Sequence, residues 1–246
     1  MTRLKIILVL TLCSFTIHSQ NDIQEQTATS RLANGTTYLK KGQLNLAIDE
    51  FTKAIILDSN LAQAYNGRGT AKVRLRQFDS ALVDFTLAIK INPNYSYAYN
   101  NRGSVKSEFK KYKEAIEDFS IAISKDSSIS DWYHNRGLAY NKLALFNNAM
   151  KDFDKAIEIN QNFMQAYYDR GCLKLQILKY SEAVKDFNYA IQLNTKFASA
   201  YCNRGIAYGK LHLYNEASFD LQMALKLDPN NESYKRNLNE LEKLNR

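Results

Sequence analysis

The residues of this 246-residue chain that could do chemistry are arginines and aspartates that recur at one fixed spacing. Five arginines stand 34 residues apart, and five aspartates follow them with the same period. A guanidinium and a carboxylate form a bidentate pair, whereas an unpaired charge inside a packed helix pair is costly. We therefore expect structural ion pairs between helices, with an anion-binding stripe of arginines as the alternative. The two sets are Arg68, Arg102, Arg136, Arg170 and Arg204, and Asp84, Asp118, Asp152, Asp186 and Asp220.

Groups that support catalysis or metal binding do not cluster in the sequence. There is no glycine-rich phosphate loop, no GxSxG elbow and no HExxH helix. His134 and His212 lie far apart without a cysteine or acidic partner at ligand spacing, and we expect His134 to face solvent. These observations predict a protein that is not an enzyme, with no cofactor, no metal and no small-molecule substrate.

The elements that position these residues follow from the same spacing of 34 residues. Glycine, two columns of alanine and a column of phenylalanine all keep this period, which is the signature of stacked structural repeats. Small residues allow two helices to approach closely, and phenylalanine fills the wider space beside them. With only two prolines and nine glycines in the chain, we expect the repeats to be helical. The glycines are Gly35, Gly69, Gly103, Gly137, Gly171 and Gly205, and the phenylalanines are Phe51, Phe85, Phe119, Phe153 and Phe187.

At these residues the chain resembles the tetratricopeptide repeat, a helix-turn-helix unit of 34 residues with Ala-x3-Phe in its second helix. Tyrosine stands where the family usually has tryptophan, and arginine where it usually has leucine before the glycine. The resemblance implies an all-α, right-handed α-solenoid of six such repeats. The six repeats are 28–61, 62–95, 96–129, 130–163, 164–197 and 198–231.

The two ends of the repeat array differ from its middle. The first repeat has Asn34 and Arg31 where the others have arginine and an aromatic residue. Residues 232–246 are predicted to form a C-terminal capping helix with an apolar stripe of Tyr234, Leu238 and Leu241. Such a cap with a polar outer face keeps a repeat array soluble.

The resemblance also implies a binding surface, because first helices of the family line a concave groove that takes peptides. Carried over repeat by repeat, it predicts a polar groove of mixed charge that binds a polypeptide segment. The family's carboxylate clamp is absent, since its lysine position reads Leu32, Asn66, Asn100, His134, Tyr168 and Cys202. The predicted groove residues are Gln63, Asn66, Tyr97, Asn100, Asn101, Asp131, His134, Asn135, Tyr168 and Asn203.

Two cysteines, Cys172 and Cys202, fall on first helices of adjacent repeats. Helix axes pack about 8–10 Å apart, whereas a disulfide needs Cα atoms within about 7 Å. We therefore favour two free thiols over a disulfide.

The first 20 residues predict export. Arg3 and Lys5 precede an apolar run at 6–17, which is the pattern of a secretory signal peptide. The run has 12 residues and is short for a transmembrane helix, which needs about 20. Cys13 offers an alternative, lipid anchoring to a membrane, although Leu12 is larger than a lipoprotein box prefers. The chain is therefore expected to be periplasmic or secreted, with a polar lead-in at 21–27.

Charge argues against nucleic acid as the partner. Without the signal peptide, 33 − 2 = 31 basic residues face 25 acidic ones, a net charge of +6. Lysines and arginines alternate with acids along the chain, whereas a nucleic-acid binder gathers its basic residues on one face. The sequence thus predicts an exported protein-protein interaction scaffold. The alternative is an accessory subunit of a periplasmic or envelope enzyme complex, with partner contacts outside the groove.

Overall fold

The computed structural model describes residues 27–244, which form thirteen helices and no strand. The predicted signal peptide at 1–20 and most of the polar lead-in lie outside the described residues. The first helices of the repeats are α1 (27–40), α3 (Ala62–Arg74), α5 (Ser96–Glu108), α7 (Ser130–Lys142), α9 (Met164–Gln176) and α11 (Ala198–Lys210). The second helices are α2 (Leu44–Leu57), α4 (Phe78–Ile91), α6 (Tyr112–Lys125), α8 (Phe146–Ile159), α10 (Tyr180–Leu193) and α12 (Tyr214–Leu227), and α13 (Glu232–Leu244) follows them.

The chain divides after Asp126 into two compact bodies, the N-terminal body with α1 to α6 and the C-terminal body with α7 to α13. From α3 onward, each first helix packs against the second helix of its own repeat. Within a body, each second helix also packs against the first helix that follows it. Each body therefore buries its apolar side chains between successive helices, as expected for stacked repeats.

The glycine column exists because phenylalanine rings, or Leu221 at Gly205, lie where its side chains would be. A Cβ added at Gly103 would come within 2.9 Å of the Phe119 ring and 3.2 Å of the Ala115 carbonyl oxygen. Phe51 is enclosed from two sides, because a Cβ at Gly35 or at Gly67 would stand within 2.7 Å of its ring. These contacts are shorter than van der Waals distance, so the close approach of the helices requires glycine.

The turn inside each repeat uses a left-handed residue to end the first helix. Gly42 has a φ of 73°, but the five later turns of this kind carry side chains, among them Arg76 and Lys110, both with a φ of 59°. The Gln77 amide donates to the Lys72 carbonyl and the Arg76 amide to that of Val73, which is a Schellman cap. These caps are hard to predict from the sequence, because most of them lack the glycine that usually marks such a turn.

The turns between repeats begin with aspartate or asparagine. The Asn92 side chain accepts a hydrogen bond from the Asn94 amide at 3.0 Å, and Asp58 accepts one from Asn60 at 2.8 Å. This local bond fixes a tight turn and stops the second helix. Over the described range, no helix is both long and apolar enough to cross a membrane.

Candidate binding face

The arginines of the first helices are bound by the aspartates of the second helices. Arg170 donates from Nε and Nη2 to both carboxylate oxygens of Asp186, at 2.9 and 2.7 Å. The same bidentate pair forms in the four other repeats that carry these residues. All five aspartates are buried, so these guanidinium groups serve as structural partners.

A third side chain contacts each arginine–aspartate pair, and it was not predicted from the sequence. In three repeats it is a lysine, as at Lys174, whose ammonium lies 2.9 Å from Asp186. In two repeats a tyrosine replaces that lysine, and the arginine lies over its ring, as Arg204 does over Tyr208 at 5.9 Å. The sequence could have identified these residues, because they keep the 34-residue period. The lysines are Lys72, Lys106 and Lys174, and the tyrosines are Tyr140 and Tyr208.

The arginines also connect neighbouring repeats through their third nitrogen. Nη1 of Arg170 donates to Asp154 at 2.6 Å, and Nη1 of Arg204 donates to Asn188 at 2.6 Å. Both acceptors belong to the second helix of the preceding repeat. Each of these guanidinium groups therefore holds three helices together.

The first repeat replaces the pair with different residues at the same place. Glu50 stands in the aspartate column and binds Arg31 at 3.0 Å, with Asn34 at 3.4 Å. Lys53 also donates to Glu50, and its ammonium lowers the pKa of that carboxyl more than burial raises it. The longer glutamate reaches Arg31, which lies about one helical turn before Asn34, the residue at the arginine position of this repeat.

Several of the predicted groove residues bond to one another between adjacent repeats. In the N-terminal body, Asn101 Nδ2 donates to Asn66 Oδ1 at 2.9 Å, and Asn66 Nδ2 donates to the Tyr95 hydroxyl at 3.4 Å. In the C-terminal body, Asn203 Nδ2 donates to the Tyr168 hydroxyl at 3.1 Å. Each inter-repeat bond joins the fifth position of one first helix to the sixth position of the next. We call this set of contacts the inner ladder.

His134 takes part in the inner ladder, and the prediction that it faces solvent is wrong. Its side chain is 7% exposed, and Nε2 lies 2.7 Å from Asp169 Oδ2. Phe153 and Phe163 pack against the imidazole with ring centroids at 5.8 and 5.0 Å. A lone histidine in the sequence gives no sign of these neighbours, because they come from two other helices.

Other predicted groove residues keep contact with solvent. Gln63, Tyr97 and Asp131 occupy the second position of their helices and are exposed, with 49% exposure at Tyr97. Asn100 and Asn135 are half-buried. We define the first-helix face of each body as these side chains together with the inner ladder beneath them. In the N-terminal body this face offers the amides of Gln63 and Asn100 beside the ring of Tyr97, and in the C-terminal body it offers Asp131 and Asn135.

The two cysteines of the described range are free thiols that also contact this ladder. Asn203 Nδ2 lies 3.2 Å from Cys172 Sγ, and Asn237 Nδ2 lies 3.3 Å from Cys202 Sγ. Burial raises the pKa of Cys172 to about 11 and also raises that of Cys202. Both thiols therefore stay protonated at neutral pH and are weak nucleophiles. Residues 27–244 contain no group of three histidine, cysteine, aspartate or glutamate side chains arranged to hold a metal ion.

Comparison with protein-family models gives matches to helix pairs of both bodies. Models described as "Tetratricopeptide repeat" match residues 62–95, 130–163 and 198–231, and one described as "TPR repeat" matches 179–211. None of the curated proteins compared with the chain matches it.

Solved structures resemble the chain in fold. PilF of Pseudomonas aeruginosa is 18% identical, with a TM-score of 0.78 over 87% of this chain and 97% of its own. PilW, a type IV pilus biogenesis factor, is 17% identical, with a TM-score of 0.78 over 86% of this chain and 98% of its own. YrrB, described as a TPR protein with an unusual peptide-binding site, is 23% identical, with a TM-score of 0.64 over 76% and 96%. Together with the helix pairs, these likenesses confirm the predicted all-α fold class.

Proposed function

We propose that this chain, whose helix pairs are tetratricopeptide repeats, is a scaffold that binds a segment of another polypeptide on its first-helix face. The observation that carries the proposal is the exposed Tyr97 beside the half-buried Asn100, on a helix whose Asn101 is fixed by the inner ladder. A surface already held in place loses little conformational freedom when a partner binds, which favours affinity.

The chemistry of the first-helix face suits a peptide backbone. An asparagine amide carries a donor and an acceptor side by side, so it can bond both groups of a peptide unit. Tyrosine adds contact area at a low entropy cost. YrrB, which shares the fold, is described as a TPR protein with an unusual peptide-binding site, and it supports peptide binding by analogy.

The proposal places the chain outside the cytoplasm and without catalytic activity of its own. Export rests on the basic and apolar pattern of residues 1–20, and lipid anchoring through Cys13 is the alternative route. The N-terminal sequence of the protein isolated from cell fractions decides between them. A start near residue 20 supports export, a lipid on Cys13 indicates anchoring, and an intact Met1 in the cytoplasm contradicts both.

In a second candidate function, the chain is an accessory subunit of an envelope complex, and its partner binds the outer surface of the second helices. It is favoured by two aromatic side chains of the C-terminal body that are well exposed on second helices, Tyr189 at 53% and Phe219 at 66%. Exposed apolar surface marks interaction sites when it forms a contiguous patch.

A matched pair of tyrosines separates these two candidates. A partner captured from the exported fraction is titrated against the Tyr97→Ala and Tyr189→Ala variants, once circular dichroism shows that both are folded. Both side chains are about half exposed, but one lies on a first helix and the other on a second helix. We expect Tyr97→Ala to weaken binding roughly 30-fold, as at a binding hot spot, and Tyr189→Ala to leave it unchanged. The opposite result would assign the partner to the second helices.

A further inference from the structure

A pocket of about 400 Å³ opens between α3 and α5 of the N-terminal body. Its apolar part is formed by Phe85 and Val105, which are fully buried, together with the partly buried Val73 and Phe78. Asn101 of the first-helix face also lines it. Ligand pockets span about 300–1,000 Å³, so this one is small and suits a single large side chain.

The pocket exists because small residues occupy the ninth position of both first helices. Thr70 and Ser104 stand at that position and line the pocket, whereas Leu138 and Ile206 hold it in two later repeats. Both hydroxyls donate to backbone carbonyls of their own helix, at 2.8 and 3.0 Å. The walls therefore have their polar groups satisfied, and an apolar side chain can enter without leaving a hydroxyl unpaired.

The rim of the pocket is predominantly basic. Arg74 and Arg76 are exposed at one side, with Glu108 as the acidic group of the rim. Arg74 donates to the Leu39 carbonyl in the last turn of α1, and this hydrogen bond fixes the position of its guanidinium cation. Arg76 has a φ of 59°, which holds its backbone in the left-handed turn.

The turns on both sides extend this basic character. Phe78 contacts Phe109 edge to face at 6.1 Å, which places the next turn of the chain beside the pocket. The exposed basic residues of the two flanking turns are Lys40, Lys41, Lys110 and Lys111, and the acidic residues at the starts of α4 and α6 are Asp79 and Glu114. Cations therefore outnumber acids along this edge of the body.

We propose that this pocket receives a bulky aromatic side chain from an acidic segment of the bound polypeptide. The inference rests on the proposed function and names the chemistry of the segment. The ring is buried against Phe78, Phe85 and Val73, where offset or edge-to-face aromatic contacts add to the apolar burial. The acidic neighbours of that ring face Arg74 and Arg76, and this attraction falls as salt rises.

The test uses three synthetic nine-residue peptides and fluorescence anisotropy. The first peptide has one tryptophan between two pairs of acidic residues, the second replaces the tryptophan by alanine, and the third replaces the acids by lysine. We expect the first peptide to bind at least about tenfold more tightly than either of the others, with an affinity that falls as salt is added.

Matched variants locate that binding. Ser104→Trp fills the pocket, and Ser124→Trp makes the same change at an exposed serine of α6 that also donates to a backbone carbonyl. Arg76→Glu reverses a rim charge, and Lys90→Glu reverses an exposed charge at the end of α4. Ser104→Trp should weaken binding of the first peptide at least about tenfold and Arg76→Glu about three- to tenfold, while both controls leave it unchanged.

Each outcome bears on one proposal. If the first peptide binds Ser104→Trp as well as it binds the unchanged protein, or if the alanine peptide binds equally well, the pocket assignment is wrong. The same holds if none of the peptides binds while the captured partner still requires Tyr97. A partner that requires Tyr189 instead overturns the proposed function, whatever the peptides do.

Discussion

At the scale of single residues, the arginine column shows how a charged side chain becomes part of the packing. Arg204 makes two bonds to Asp220 and a third to Asn188, and its guanidinium lies over Tyr201 at 5.4 Å. The planar guanidinium allows all of these contacts at once, which a lysine ammonium would not. The arginine that replaces the family's usual leucine therefore contributes to stability and orientation.

Two repeats of the C-terminal body provide a matched test of these pairs. Arg170→Met leaves Asp186 with Lys174, whereas Arg204→Met removes the arginine from Asp220 in a repeat where the uncharged Tyr208 stands in place of that lysine. We expect Arg204→Met to lower the free energy of unfolding by about 3–5 kcal/mol, because it strands a buried carboxylate. Arg170→Met should cost at least about 1 kcal/mol less. Urea denaturation of both variants measures the difference, and equal losses would mean that the lysine does not stabilise its aspartate.

The arginine–aspartate pairs within each repeat could be predicted from the sequence, whereas the lysines that join them and the contacts between repeats were missed. The arginine and aspartate columns share one period, so their association could be inferred from spacing. The inner ladder instead joins residues 35 apart, such as Asn66 and Asn101, because the fifth position of one helix meets the sixth of the next. That offset depends on how successive helices are rotated, which the sequence does not display.

At the scale of elements, the glycine and alanine columns determine how closely two helices approach. Gly103 and Gly209 both lie in first helices, α5 and α11, but different side chains surround them. A Cβ at Gly103 would meet the Phe119 ring at 2.9 Å, whereas a Cβ at Gly209 would first meet a methyl group of Leu241 at 3.4 Å. Packing therefore requires glycine at position 103 and only tolerates it at position 209.

This contrast predicts opposite effects of one substitution. Gly103→Ala should lower the free energy of unfolding by about 1–3 kcal/mol through overpacking. Gly209→Ala should leave it unchanged or raise it by up to about 1 kcal/mol, since alanine favours the helix. Thermal and urea melts of the two variants test the prediction. Equal destabilisation by both would mean that backbone flexibility, and not the phenylalanine contact, explains the glycine column.

The all-helical fold of the repeats could be predicted, because the 34-residue period and the scarcity of proline and glycine favour stacked helices. The left-handed caps could not, since Arg76, Lys110 and three other residues that carry side chains occupy them. Backbone hydrogen bonds of the Schellman type stabilise these turns even without glycine. The resulting turns bring Phe78 and Phe109 together, which a reading of the sequence alone did not anticipate.

At the scale of the whole molecule, each body combines a hydrogen-bonded ladder with side chains that are exposed on its surface. The ladder uses several of the residues that sequence reasoning assigned to the ligand, including Asn66, His134 and Asn203. The proposed function therefore gives these residues the role of positioning the side chains that hold a partner. Under the proposed function, the exposed residues of the second position, above all Tyr97, are the principal contacts.

Photo-crosslinking is the measurement that tests the central claim most directly. A photoreactive phenylalanine analogue replaces Tyr97 in one variant and Tyr189 in another, and each variant is irradiated with the captured partner. We expect a covalent adduct with the partner from position 97 and none from position 189, because the proposed function places the partner on the first helices. An adduct from position 189, with none from position 97, would contradict it.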